Sequence, residues 1–244
     1  EMLLFVGYTV KDKPDFVDMS VLKRIDWKLF GEILRKGSMI ILSQLMFVAS
    51  ETIASAVYNS RGGADVVSGI AASFAISNLL SSSYTGITTA AGVIIGKSLG
   101  SNQLDRARQE KVWMLSAAVV FGLFLCLGCF GASALVPIVF LSLSQNAQNI
   151  CKGMVMLIAV LIPLWTYINV QLAILRAGGD TQVCMWVDGG TAAVMIPMLF
   201  LMAAFTNWSP IIMYLAAKSL DIGKIMVANY ALKKERWVVN LSTQ

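Results

Sequence analysis

The sequence predicts an all-α, polytopic membrane protein, a bundle of six transmembrane helices. One observation is a set of six apolar segments, each with about 20 residues or more, enough to cross a hydrocarbon layer of about 30 Å as a helix. Another is that charged residues are only 14% and hydrophobic residues 57%, whereas soluble domains carry about 25% charged residues. The segments are residues 38–58, 67–96, 112–141, 153–175, 183–206 and 209–231.

The third observation is that basic residues cluster at alternate gaps between the segments. Most of the 19 lysines and arginines precede the first segment or lie in the tail and in the gaps after the second and fourth segments. The opposite gaps hold only Arg61 and Lys152. Because basic residues accumulate on the cytoplasmic side, we expect a multi-pass protein of the plasma (inner) membrane with both ends cytoplasmic. The net charge of +5 belongs to these loops, and no nucleic-acid module motif occurs, so the expected partner is the lipid bilayer and not nucleic acid.

The chain divides into four predicted parts. Residues 1–10 look like the end of a preceding transmembrane helix, and residues 11–36 form a cytoplasmic linker with a basic amphipathic helix. Residues 37–232 form the six-helix bundle, and residues 233–244 form a cytoplasmic tail. Since the chain begins with a glutamate and not with Met, we expect it to be the C-terminal part of a longer polypeptide.

Polar side chains run through the first, second and fourth segments and predict a substrate or ion cavity. A carboxylate within a bilayer costs about 2–3 kcal/mol or more unless it has a partner. The glutamate of the first segment is therefore either a cation or proton site or a structural hydrogen-bonding carboxylate. The third segment is almost purely apolar and is predicted to face lipid. The predicted cavity residues are Gln44, Glu51, Asn78, Asn169 and Gln171.

Asp188 lies early in the fifth segment and has two interpretations. It is predicted either as a functional carboxylate or, in the favoured interpretation, as an interfacial anchor that pairs with Arg176 or Lys97.

Enzyme motifs in the sequence are incomplete. Residues 96–100 read GKSLG, the G-x-S-x-G pattern of hydrolases, but the chain has no histidine to serve as the base. Cys126 and Cys129 form a C-x-x-C inside an apolar segment without a second ligand pair, which favours buried thiols over a metal or redox site. No Walker A motif occurs. We predict that the chain is not an enzyme and has no catalytic residue, no metal site and no resident cofactor.

Four short motifs carry a family resemblance. They are LRAGGDT at 175–181, IGKSLG at 95–100 followed by DRAR at 105–108, YNSRGGAD at 58–65, and RWVVNL at 236–241. Their order and spacing resemble the multidrug and toxic compound extrusion (MATE) family, over residues 28–242. In the first of these motifs, Gly178 and Gly179 suit a left-handed helix end. Arg176 and Asp180 are expected to shape the same turn and to pair with neighbouring loops.

The resemblance implies twelve helices in two six-helix bundles, of which this chain would be the C-terminal bundle and the missing N-terminal half its partner. It implies alternating-access antiport of drugs or other organic amphiphiles, with cationic ones favoured, driven by a Na⁺ or H⁺ gradient. Members with a cation site in this half have acidic residues in its first and fourth helices, but residues 162–175 contain no acid. The alternatives are a lipid-linked sugar flippase of the same superfamily and a non-transporting membrane scaffold or remnant.

Overall fold

A computed structural model describes residues 27–60 and 62–239. Within these residues every regular element is an α-helix, which confirms the all-α prediction. The predicted helix end at 1–10 and the linker up to residue 26 lie outside the described residues. The helices are α1 (Trp27–Asn59), α2 (Ala64–Gly100), α3 (Leu104–Val139), α4 (Gln145–Ala177), α5 (Thr181–Phe205), α6 (Pro210–Ser219) and α7 (Asp221–Lys233).

Five of the described helices are long and apolar enough to cross a membrane. They are α2 to α5 and the part of α1 from Gly37, with 23 to 37 residues each. The sixth predicted span consists of α6 and α7, which have 10 and 13 residues and are each too short to cross alone. Leu220 between them keeps helical dihedral angles of −63° and −21°, so α7 continues from α6 almost without a break.

The chain forms two compact units, residues 1–38 and 39–244. In the first unit the described part is the beginning of α1, where the exposed rings of Trp27 and Phe30 meet edge-on at a centroid distance of 5.8 Å. Residues 27–36 of the predicted linker are helical and belong to α1. The features below belong to the second unit.

Helix α4 lies at the centre of the second unit and packs against α2, α3 and α7. Glycines permit close approach of the backbones. A Cβ at Gly122 would lie 2.6 Å from the Cα of Pro163, and a Cβ at Gly69 would lie 2.7 Å from the carbonyl oxygen of Ala147. Membrane helices associate through such close contacts between small residues, because lipid supplies no hydrophobic drive between them.

Helix α3 turns apolar side chains outward. Val120, Phe124 and Leu127 are each about 70% exposed, and they recur at spacings of four and three on one face. This is the exposure expected of the lipid-facing helix that the third segment predicts.

The turn between α4 and α5 requires both of its glycines, for different reasons. Gly179 has a φ of 80°, which confirms the predicted left-handed helix end at one of the two glycines. Gly178 has a φ of −84°, but a Cβ there would lie 2.1 Å from the carbonyl oxygen of Trp237. The tail therefore crosses directly against the turn. The backbone N–H of Asp180 donates to the carbonyl of Leu175 at 2.9 Å and closes the helix end.

Replacing Gly179 by Ala is expected to lower the free energy of unfolding by about 1–2 kcal/mol, because a Cβ is disfavoured at positive φ. Thermal unfolding in detergent measures the effect. The matched control is Gly190→Ala within α5, where a Cβ meets nothing within 4 Å and where alanine favours the helix. Equal losses of stability in the two variants would contradict the account of this turn.

Candidate functional site

The last two helices carry three charged residues on one face. Lys218, Asp221 and Lys224 are each three residues apart, and residues at this spacing lie side by side on a helix. Lys218 and Asp221 are only 8% and 7% exposed. Ionisable side chains inside a membrane bundle require partners, and each of these three finds one on another helix.

Lys218 on α6 binds Glu51 on α1. Its Nζ lies 2.5 Å from Glu51 Oε1. The same Nζ lies 5.5 Å from the ring centroids of Trp165 and Tyr214, within the range at which an aromatic face attracts a cation. The Lys218 side chain is 10% exposed, whereas the Glu51 side chain is 34% exposed. Open space therefore reaches this pair from the carboxylate side.

Asp221 and Lys224 extend the charges along α7. Asp221 accepts a hydrogen bond of 2.9 Å from the indole Nε1 of Trp165. The Nζ of Lys224 lies 3.6 Å from Asp221 and 3.7 Å from Asp188 on α5. It also lies 5.7 Å from the ring centroid of Phe47 on α1. Trp165 thus touches both the Glu51–Lys218 pair and Asp221, and it connects the two groups of charges.

Asp188 completes the arrangement. It is 8% exposed and accepts a hydrogen bond of 2.6 Å from the hydroxyl of Ser43 on α1. The guanidinium of Arg176, at the end of α4, lies 3.8 Å away, which confirms the predicted Arg176 partner. Three acidic and three basic residues therefore balance one another across five helices. We call them the ionic network: Glu51, Arg176, Asp188, Lys218, Asp221 and Lys224.

Two of the predicted cavity residues lie on α4 and bond inside the bundle. Gln171 is fully buried and donates from Nε2 to Asn229 Oδ1 on α7 at 2.7 Å. The hydroxyl of Tyr167 donates to the same oxygen at 3.4 Å. Asn169 donates to the carbonyl of Trp165 at 2.8 Å. The Oε1 of Gln171 has no hydrogen-bond partner among the described residues.

The other predicted cavity residues lie elsewhere. Gln44 on α1 and Asn78 on α2 are exposed, whereas Glu51 lies in the ionic network. On α2, further exposed polar residues follow Asn78 at spacings of four and three, which place them on one helical face. We call the following residues the exposed polar set: Gln44, Thr52, Asn78, Ser82, Thr85 and Thr89.

Sequence patterns alone point to three of the six residues of the ionic network, Glu51, Arg176 and Asp188. Lys218, Asp221 and Lys224 were assigned no role, although three charges at a constant spacing inside an apolar segment are themselves a signal. An intramembrane ionisable residue indicates a functional site by default. Trp165 and Asn229 gave no comparable signal, because their roles depend on which helices become neighbours.

The fold and this network define a class of protein: a multi-pass helical membrane protein with paired charges between its helices. The MatE family model matches residues 40–201, well over half of the chain. The chain therefore belongs to the MatE family, the MATE superfamily of membrane transporters, as the motifs predicted. In two further comparisons, no curated protein and no solved structure matched the chain.

Proposed function

We propose that this chain is one six-helix unit of a secondary antiporter that exports drugs or other organic amphiphiles, cationic ones in particular. A Na⁺ or H⁺ gradient drives the export by alternating access. Membership in a transporter family supports this proposal. The observation that carries it is the coexistence of an ionic network between the helices with polar residues exposed on α1 and α2, since such residues suit a hydrated path and not a lipid surface.

The exposed polar set also indicates the partner. Lipid offers no hydrogen bonds to Gln44 or Asn78, and each unsatisfied polar group in hydrocarbon costs several kcal/mol. We propose that a second six-helix unit, the N-terminal half implied by the family, faces these residues across a water-filled cavity. The protein would lie in the plasma (inner) membrane with both ends of this unit cytoplasmic.

The ionic network argues against the sugar-flippase alternative. A cavity for a lipid-linked anionic substrate requires cationic side chains that are free to bind phosphate. Lys218 and Lys224 of the described bundle, whose side chains are 10% and 11% exposed, instead lie 2.5 to 3.7 Å from acidic side chains. Their charge is matched within the protein, which supports a cavity without a cationic surplus.

Transport by the complete gene product in liposomes tests the proposal. With an imposed Na⁺ or H⁺ gradient and no ATP, we expect a fluorescent organic cation to accumulate against its own gradient. Accumulation should stop when an ionophore collapses the driving gradient. Vesicles that accumulate nothing under either gradient, or that accumulate the cation equally without one, would contradict secondary antiport. Movement of a lipid-linked sugar in the same vesicles would favour the flippase.

A further inference from the structure

The ammonium group of Lys218 lies in a cage with the composition of a cation-binding site. The cage consists of the carboxylate of Glu51 at 2.5 Å and the ring faces of Trp165 and Tyr214 at 5.5 Å each. A carboxylate combined with aromatic faces is how proteins recognise ammonium ligands. In this protein a side chain of the chain itself occupies the site.

The walls of the cage are held in place by contacts that do not involve Lys218. Trp165 is fixed by its hydrogen bond to Asp221 at 2.9 Å. The ring of Tyr214 packs against Tyr58 and Phe74, at centroid distances of 5.6 and 6.3 Å. The walls come from α1, α4 and α6, so their shape depends on the bundle and not on one helix. Removal of the ammonium group should therefore leave a shaped vacancy.

Access to the cage is from the side of Glu51. The Glu51 side chain is 34% exposed and the Lys218 side chain is 10% exposed. A cation that arrives from outside therefore meets the carboxylate first, and it finds an oxygen already bonded to Lys218. Tyr58, beside Tyr214, has a buried hydroxyl without a partner among the described residues.

We propose that this cage is a cation site that the protein fills with Lys218, so that Lys218 excludes Na⁺ and small ammonium ions from Glu51. Lys218 is then the residue that determines cation selectivity at this position. The consequence for coupling rests on the proposed function: an external cation reaches Glu51 only in a conformation in which Lys218 has withdrawn. The occupancy of the cage by Lys218 is a property of the folded unit, and it is tested by measuring cation binding.

The test uses Lys218→Met, which keeps an unbranched chain of similar length and removes the charge. Methylammonium chloride replaces increasing amounts of N-methylglucamine chloride, whose cation is bulky, at constant ionic strength. The Tm is measured in detergent at each concentration. Methylammonium should raise the Tm of this variant saturably by about 2–4 °C or more, the shift that about 1 kcal/mol of ligand stabilisation gives a protein of this size. Wild type and Lys218→Arg, whose cages remain filled, should show no saturable rise.

The double variant Glu51→Gln/Lys218→Met isolates the carboxylate. It should lose the response to methylammonium, because the cage then has no counter-charge. An equal response in wild type, no response in Lys218→Met, or a response that survives in the double variant would each overturn the proposal. A Lys218→Met protein that folds only in methylammonium supports it, and one that folds in neither salt contradicts it. These are binding measurements, so a failure of the transport proposal would not change them.

Discussion

Replacing Asp188 by Asn is expected to lower the free energy of unfolding by about 3–5 kcal/mol, because it removes the counter-charge of Arg176 and one of the two acidic partners of Lys224. Asp188 is 8% exposed, and Arg176 and Lys224 lie 3.8 and 3.7 Å from it. Asparagine has nearly the same shape and still accepts a hydrogen bond from Ser43, so the variant removes charge and little else. Unfolding by denaturant in detergent micelles measures the loss.

Two further variants show whether the charge is responsible. Asp65→Asn changes a carboxylate at the end of the bundle that accepts hydrogen bonds from Ser144 and Asn146, and we expect a loss of about 1 kcal/mol. Adding Arg176→Met to Asp188→Asn should recover part of the lost stability, since Arg176 is then removed together with its counter-charge. If Asp188→Asn were no worse than Asp65→Asn, the ionic network would not stabilise the bundle.

Trp237→Ala is expected to lower the free energy of unfolding by about 3–5 kcal/mol, the usual loss when a large aromatic side chain is removed from a core. Trp237 is fully buried although it lies in the tail beyond α7. Its indole Nε1 donates to the carbonyl of Leu232 at 3.2 Å, and Lys111 Nζ lies 5.6 Å from the ring centroid. The residue therefore fastens the tail to α3 and to the turn at Gly178.

The matched control is Trp186→Ala on α5, because Trp186 is 70% exposed. We expect a change of about 0.5 kcal/mol or less at this exposed site. Thermal unfolding of both variants in the same detergent gives the comparison. Similar losses at the two tryptophans would show that the tail is not part of the folded unit.

Much of the fold could be predicted from local sequence. The long helices were predicted from the apolar segments, because length and hydropathy alone determine whether a helix can span a bilayer. A left-handed conformation at one of the two glycines, Gly178 or Gly179, was predicted because few residues other than glycine adopt it at a helix end. Arg176 was one of the two partners predicted for Asp188, with Lys97 as the other, and the structure shows the contact with Arg176.

The ionic network could not be predicted in the same way. Glu51 and Lys218 are 167 residues apart, and helical periodicity places each on a face without indicating which helix it will meet. The role of Gly178 could not be predicted either. Its sequence context predicted a conformational role, but the structure shows that a side chain at this position would clash with Trp237. The interior position of Gln171 also depends on its neighbour Asn229 on α7. Contacts between distant helices decide these roles.

If the exposed polar residues of α1 and α2 line a hydrated path for solutes, water-soluble reagents reach them, and cysteine labelling in native membranes measures this access. Single cysteines would replace Gln44, Asn78 and the lipid-facing Leu127 in a protein whose four native cysteines have been removed. We predict that a charged, membrane-impermeant thiol reagent modifies positions 44 and 78, that an organic cation slows this reaction, and that position 127 stays unmodified. Positions 44 and 78 as unreactive as position 127 would contradict the hydrated path.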